Sequence, residues 1–600
     1  MQERRDMPRL TEHERREVIE HLETDRPLPD KYRFLLFDNH RDVELVWHGK
    51  TNNVCHAASP FCVLERVAPR NVPDLEPSQN GWTNKLLHGD NRHVLTSLRN
   101  GPLRDEIERH GGLKLIYIDP PFDVGDDFSM DIEIGDVALT KRSSHLEKLA
   151  YRDTWGRAAD SFLAMIYERL ALMRELLADD GSIYVHCDGR VNSYVRLILD
   201  ELFGAENQRN QIRWCYRGGG VPKKDFAPKH DTIFRYSKTD QYLFNVDAVR
   251  IPYSDDVLRS DPSRYDKSYR GELVYEGYVP NSKGKHPEDW WTIQPLMPSD
   301  KTERVGYPTQ KPVELLQRII EASTNPGDLV ADFFCGSGTT LIVAEGLRVR
   351  RKQQSNGKEK LEYYSAAPRR WIGSDLSNLA IQVAKRRLIG LHRHEHFELV
   401  ATHAFEILQI GKQETEDNKD VAANQSSDSQ SATIEATIHQ HENTVFVELI
   451  GFSAPYSEET ILAEGAALKK KTGSLIIEQG KIVQLRKDGE GNVVRSPLMK
   501  HWTNWIDGWA VDFDFGQRPQ MEHRPSDSSS DWLERKTGFS VFQSDWQAFR
   551  TKKDRAIPWT TDSRDLSPGQ HKIAVQVVDI FGNDAMRVFD VVIPADSATD

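Results

Sequence analysis

The chain has 600 residues, 38% hydrophobic and 28% charged, a balance that excludes a disordered protein and a length that excludes a single compact core. It has no run of about 18 apolar residues to span a membrane, the opening Met1-Gln2-Glu3-Arg4-Arg5-Asp6 lacks the apolar stretch of a secretory signal, and the five cysteines (Cys55, Cys62, Cys187, Cys215, Cys335) form no Cys-x-x-Cys pair, so a reduced, cytoplasmic protein without structural zinc is expected. The net charge of −13 does not mark a nucleic-acid binder, but residues 209–311 carry 18 Lys+Arg against 14 Asp+Glu, a mildly basic window in an acidic chain.

The first predicted element is a short helix opened by the capping-box residues Thr11-Glu12-His13-Glu14. Two strands, at 32–37 and 43–47, follow around Asn39-His40-Arg41, and with that helix they make an N-terminal appendage over 1–78. From about residue 80 strand and helix alternate: strand at 85–88, helix at 94–98, strand at 113–118, helix at 162–177, strand at 182–186, helix at 191–203. An irregular stretch rich in Gly, Pro and Tyr precedes a helix at 313–322, a strand at 329–331 and, after a charged insertion at 348–370, a strand at 370–374. Such alternation predicts an α/β unit over 79–410, a mostly parallel sheet with helices on both faces. Residues 411–434 read as a polar linker, clearest at Gln425-Ser426-Ser427-Asp428-Ser429-Gln430-Ser431. Strand-like runs at 445–450, 509–515 and 573–578, with a hairpin through Phe581-Gly582-Asn583-Asp584, predict a separate β-rich domain over 435–600.

Two segments carry chemistry. Asp119-Pro120-Pro121-Phe122 closes the strand at 113–118. Successive prolines make a rigid, extended corner whose neighbouring carbonyls lack N–H partners. Asp119 and the Pro120 carbonyl can accept the two hydrogens of one amino group, and Phe122 offers a flat face for a base; the plainer alternative is a strand-ending turn. Further on, Asp332-Phe333-Phe334-Cys335-Gly336-Ser337-Gly338-Thr339-Thr340 follows the strand at 329–331. Glycines there let the backbone turn tightly and approach a ligand, and Asp332 can fix the loop or accept from a ligand's amino group. No Gly-Lys-Ser/Thr is present, which argues against a P-loop. Asp375 ends the next strand, where an acid can accept two ribose hydroxyls or cap the following helix.

Together these residues resemble the amino-methyltransferases of DNA that use S-adenosylmethionine. Asp119-Pro120-Pro121-Phe122 matches their catalytic motif, Asp332 to Thr340 their Asp-Pro-Phe-x-Gly-Ser-Gly-Thr-Thr cofactor loop, with Phe333 where proline is usual, and Tyr307-Pro308-Thr309-Gln310-Lys311-Pro312 a further cofactor motif. The resemblance implies a Rossmann-like methyltransferase sheet in the circularly permuted β-class order, with a target-recognition region at about 237–305. It assigns catalysis to Asp119, Pro120, Pro121 and Phe122, and cofactor binding to Asp90 (within His88-Gly89-Asp90-Asn91), Gln310, Lys311, Asp332, Phe334, Gly336, Ser337, Gly338, Thr339 and Asp375, with no metal. In that family an acid in the catalytic tetrapeptide is associated with adenine N6, while cytosine-N4 enzymes more often carry serine. The segment Ile212 to Gly220 resembles a loop beside the target base; Trp214 reads more readily as core, and Trp290 and Trp291 as either packing or base contacts.

Size and the β-rich tail resemble modification subunits of type III-like restriction or phage-defence systems. This implies double-stranded DNA as substrate, a helicase or nuclease subunit as partner, and a homodimer. The alternatives are a cytosine-N4 enzyme or a DNA-binding subunit without catalysis. A nuclease reading of Asp531, Glu534 and Lys536 is a chance match, Asp512 and Asp514 read as the wet face of a strand, and the tail tryptophans (Trp502, Trp505, Trp509, Trp532, Trp546, Trp559) read as core.

Overall fold

The computed structural model describes residues 11–24, 32, 45–47, 50, 58–67, 81–121, 129–134, 137–142, 158–218, 222–253, 281–297, 299–300, 302–353, 359–391, 403–410, 432–453, 467–468, 474–478, 481–487, 493–497, 501–525, 532–550 and 556–594. Phe122, Asp531, most of the two expected N-terminal strands, most of the linker and the middle of the expected recognition region lie outside the described residues. Helix α1 (Glu12–Glu23) starts at the expected capping box, with both of its reciprocal bonds between Thr11 and Glu14.

The α/β unit begins with β1 (Phe61–Val67), β2 (Asn84–His88), α2 (Asn91–Asn100), α3 (Leu103–Arg109) and β3 (Leu113–Ile118). A hairpin of β4 (Ser129–Ile134) and β5 (Val137–Arg142) follows, then α4 (Ala158–Leu176), β6 (Leu177–Cys187), α5 (Asn192–Phe203), β7 (Gln208–Cys215), β8 (His230–Ser237) and β9 (Trp290–Trp291). The unit closes with α6 (Val313–Ser323), β10 (Leu329–Asp332), α7 (Thr339–Ala344), β11 (Leu347–Gln353), β12 (Glu359–Ser365), β13 (Arg370–Asp375), α8 (Asn378–Leu391) and β14 (Phe405–Ile410).

The central sheet runs β1-β14-β2-β13-β10-β3-β6-β8-β7-β9. Its middle, β14 through β6, is parallel; β8 is antiparallel to both β6 and β7. Parallel strands buried on both faces need apolar residues on both, and alternation sorts them. Ile116, Ile118, Ile183, Val185, Ala331 and Ile372 pack with α2, α4 and α5. Leu115, Tyr117, Tyr184, Val330 and Trp371 pack with α6, α7 and α8 on the other face. β10 lies between β13 and β3, so the direction in which the chain adds strands reverses there. The loops leaving β10 and β3 therefore open into one crevice at the carboxyl end of the sheet, where open α/β sheets hold ligands.

The sheet crosses both domain boundaries read from the sequence, at 78 and at 435. β1 pairs antiparallel with β14, and the strands Pro519–Pro525, Trp532–Ser540 and Phe542–Gln543 continue the same sheet beyond β1. The remaining tail has its own core, built on the four-stranded sheet of Trp546–Phe549, Ile506–Asp512, Gly569–Asp579 and Asp584–Ile593. Trp505, Trp509 and Trp546 are buried in it and Trp502 and Trp559 pack against it, as expected. Asp512 departs from expectation. It is fully buried rather than on a wet face, because it accepts from the Gln543 and Asp514 amides at 2.8 and 2.9 Å and pairs with Arg518. The charged insertion at 348–370 is the β11–β12 hairpin, joined by cross-strand pairs such as Arg350–Glu362 at 2.6 Å.

Candidate active site

β3 delivers Asp119 to the crevice. Lys311, on the loop before α6, donates to Asp119 Oδ2. The other carboxylate oxygen, Oδ1, is buried and has no hydrogen-bond partner among the described residues. A buried anionic acceptor left unmet costs more than the bond it would make is worth, so this oxygen marks the position of a missing donor. Pro120 and Pro121 follow, and neither contributes an N–H to compete for it.

Beside Asp119 lies the glycine loop after β10. Asp332, 2% exposed, accepts from the Phe334 amide at 3.0 Å and from the Thr340 hydroxyl, and so fixes both ends of the turn. Burial pushes its carboxyl up to about 7, against the pull of those two donors. Gly336 (φ 48°) and Gly338 (φ 74°) take left-handed conformations that an L side chain rarely adopts. A Cβ on Gly336 would stand 3.1 Å from the Tyr307 ring, filling the space between the two motifs. Phe333 is fully buried in the core under α2 and α4; its carbonyl accepts from Asn91 Nδ2 at 3.0 Å, so the substitution for proline is absorbed by packing.

Two further carboxylates, Asp375 and Asp90, lie by this loop. Asp375 receives the Gly336 amide on one oxygen and the Ser377 amide on the other, both at 2.9 Å, so it shapes the loop as well as the turn into α8. Asp90, next to β2, caps α2 through the Arg92 amide at 2.8 Å and pairs with Arg169 at 2.7 Å. Burial raises its carboxyl, but Arg169 and the Arg92 amide outweigh burial and hold it below the ordinary carboxylate value. The loop thus offers backbone, acids and an aromatic edge, a donor set suited to a cationic, amine- and hydroxyl-bearing cofactor and unsuited to a phosphate. The acids Asp90 and Asp375 and the Gly336 turn have the chemistry that such a group would need.

Other residues of the expected set make contacts within the protein. Gln310 accepts from the Val305 amide and donates to the Glu303 carbonyl, each at 2.9 Å, bracing its own loop. Arg387, on α8, donates to the Ser337 carbonyl (2.8 Å), the Ser337 hydroxyl (3.0 Å) and the Thr339 hydroxyl (2.9 Å). A buried guanidinium needs those acceptors, so Ser337 and Thr339 hold the loop in place through it. Neither Arg387 nor Arg169 belongs to a motif, and no sequence signal singles them out. A polar chain behind Asp119 was equally hidden: Tyr117 O–H to His186 (3.0 Å), His186 to Asp231 (3.2 Å), and Tyr216 O–H to Asp231 (3.1 Å). Burial raises the Asp231 carboxyl, but His186 and Lys311 outweigh it and the group lies below its ordinary value. Trp214 is core, its indole N–H on the Ile293 carbonyl at 2.7 Å, while Trp291 is buried and Trp290 is 56% exposed.

Comparison with known proteins meets this geometry. A family model described as DNA methylase matches residues 113–386. The type II methyltransferase M.EcaI of Enterobacter cloacae is 30% identical over 331 residues, covering 46% of this chain and 65% of that protein. The DNA adenine methyltransferase YhdJ of Escherichia coli is 28% identical, covering 52% and 85%. The StyLTI Mod subunit of a type III restriction-modification enzyme of Salmonella typhimurium is 24% identical, covering 45% and 51%. The chain thus spans 65% of the length of M.EcaI and about half of StyLTI Mod.

Proposed function

The chain belongs to the N6/N4 DNA methylase family, and on that premise we propose that it methylates the N6 amine of adenine in double-stranded DNA. The observation that carries this reading is the buried, unmet Oδ1 of Asp119 beside the Pro120-Pro121 corner. An amino group is the donor it lacks, and an acid at this place in the family goes with adenine.

Asp90, Asp375, Phe334 and the Gly336 backbone would hold S-adenosylmethionine, which would supply an electrophilic methyl group whose S–C bond breaks as the N–C bond forms, its electron pair staying on the departing thioether sulfur. The adenine leaves the helix to reach the crevice, at a cost of a few kcal/mol of stacking and pairing. Phe122, following the proline corner, stacks on the extruded base. Lys311 occupies Asp119 Oδ2 and so turns Oδ1 toward the substrate. Oδ1 and the Pro120 carbonyl accept the two amine hydrogens, drawing the nitrogen lone pair out of the ring and toward the methyl group. Oδ1 then receives the proton that the methylated nitrogen releases. Positioning of this kind supplies much of the acceleration, the reacting atoms being held about 3–3.5 Å apart beforehand.

We further propose that the protein is the modification subunit of a restriction-modification or phage-defence system, acting as a homodimer beside a helicase or nuclease subunit. Its likeness to the StyLTI Mod subunit supports this. No helix among the described residues is long and apolar enough to cross a membrane. The test is methyl transfer to amplified, unmodified DNA followed by mass spectrometry of the nucleosides. N6-methyladenine is expected; N4-methylcytosine, or no modified nucleoside, overturns the reading.

A further inference from the structure

Phe226 is the one large hydrophobic side chain among the described residues that is 100% exposed. It lies on the loop between β7 and β8, and strand register fixes where that loop is. Ile118, the last residue before Asp119, lies beside Val185; Cys187 lies beside Thr232, and Cys215 beside His230. The β7–β8 loop therefore leaves the sheet at the same edge as Asp119. Its base is pinned: the Tyr216 amide donates to the Lys229 carbonyl at 2.9 Å, Lys229 Nζ donates to the Gly218 carbonyl, and the Arg217 amide donates to Gln294 at 3.0 Å. The Tyr216 hydroxyl ties it to Asp231, in the polar chain behind the catalytic acid. A loop hydrogen-bonded at its base thus holds an aromatic ring out in solvent.

The charges around the ring say what it meets. Arg217, Lys223 and Lys224 are exposed on the same loop, against the single acid Asp225, in a chain whose net charge is −13. Cations flanking an apolar tip complement a surface of phosphates around stacked bases. Resting on the duplex-DNA reading above, we propose that Phe226 is a wedge. It enters the base stack where the target adenine leaves, fills the space that the adenine vacated, and is steadied by Arg217, Lys223 and Lys224 on the adjacent phosphates. Adenine thereby stays in the crevice long enough for Asp119 to engage its amine.

The test uses the full chain, S-adenosylmethionine and a synthetic duplex bearing the methylated sequence, found by sequencing amplified genomic DNA after incubation with the wild type. On the paired duplex Phe226→Ala is expected to lower kcat/KM about a hundredfold, the scale of lost stacking compensation, with cofactor affinity in calorimetry unchanged. On the same duplex with an abasic site opposite the adenine, where no partner holds the base in, the variant should recover to near the wild-type rate. Phe226→Trp should stay active on both. Replacing Lys223 and Lys224 together by Ala should lower the salt slope of binding by about 2. A wild type that methylates no DNA overturns the methyltransferase reading and this one with it. An active wild type with an equally active Phe226→Ala overturns the wedge alone. So does an equal loss on both duplexes, which would make the ring an ordinary contact or a docking point for another protein.

Discussion

Lys311 donates to Asp119 across 192 positions of sequence, joining the motif at the end of β3 to the loop that leads into α6. The same lysine's carbonyl accepts from the Thr339 hydroxyl at 3.1 Å. One residue therefore touches both Asp119 and the glycine loop. In the proposed reaction it orients the acid that receives the amine and braces the loop that receives the cofactor.

Asp119→Ala is expected to abolish methyl transfer while leaving S-adenosylmethionine affinity within about threefold, less than 1 kcal/mol. Lys311→Met should differ. It removes a cation from a largely buried pair, with side chains 13% and 16% exposed, and leaves Asp119 without its one bonded partner among the described residues. A loss of about 3 kcal/mol of stability in denaturant titration is expected, together with loss of transfer. An Asp119→Ala variant that transfers methyl groups at the wild-type rate would sink the site assignment.

Gly338 and Gly81 share the same left-handed φ of 74°, but their surroundings differ. A Cβ on Gly81 meets nothing within 4 Å, while one on Gly338 would stand 2.8 Å from the Ala384 Cβ on α8. Gly81→Ala should therefore cost only the backbone strain, about 1 kcal/mol. Gly338→Ala should cost roughly 1–3 kcal/mol more from overpacking and weaken cofactor binding by pushing the loop off α8. Equal midpoints in denaturant for the two variants would show that the loop yields freely.

Local pattern carried the centre of the fold. Strand residues 113–118 are apolar because both faces of β3 are covered, and that run is legible without any partner. Asp119 and Gly336 were legible for the same reason: proline and glycine constrain the chain where they stand. Partners distant in sequence were not legible. Arg66 and Glu406, paired at 2.9 Å, lie 340 positions apart on the β1–β14 edge, so the periodicity of neither strand reveals the pairing that carries the sheet past the expected boundary at 78. Arg387 reads as one of several helix cations until α8 is packed against Ser337 and Thr339.

Asp332 and Glu303 are carboxyls whose burial pushes them up to about 7. The folded state keeps their protons to higher pH than the unfolded chain does, so folding takes up protons between roughly pH 4 and pH 7, and their contribution to stability falls as pH rises through that window. Asp332→Asn removes one of the two groups and keeps an acceptor for the Phe334 amide. Denaturant titrations at about pH 5 and about pH 8 should show the variant losing less stability than the wild type, by on the order of 1–3 kcal/mol. An identical difference between the two pH values in both proteins would mean that Asp332 stays ionised throughout.

Lys385, Arg386 and Arg387 follow one another on α8 and reach three different places. Arg387 holds the glycine loop, Arg386 pairs with Asp507 of the tail at 2.5 Å, and Lys385 pairs with Glu65 of β1 at 2.6 Å, where the Ser544 hydroxyl of the tail also donates. The Lys385 and Glu65 side chains are 7% and 6% exposed, so removing one leaves a buried charge. Lys385→Met is expected to cost about 3–5 kcal/mol, and Glu65→Gln added to it should recover much of that loss because the stranded anion is gone. The fastening also sits two residues from Arg387, so Lys385→Met should weaken S-adenosylmethionine binding although it lies outside the crevice. Denaturant midpoints of the double-mutant cycle measure the first effect and calorimetry the second. Additive midpoints would show that Lys385 and Glu65 act independently, and unchanged cofactor affinity would separate the tail from the cofactor loop.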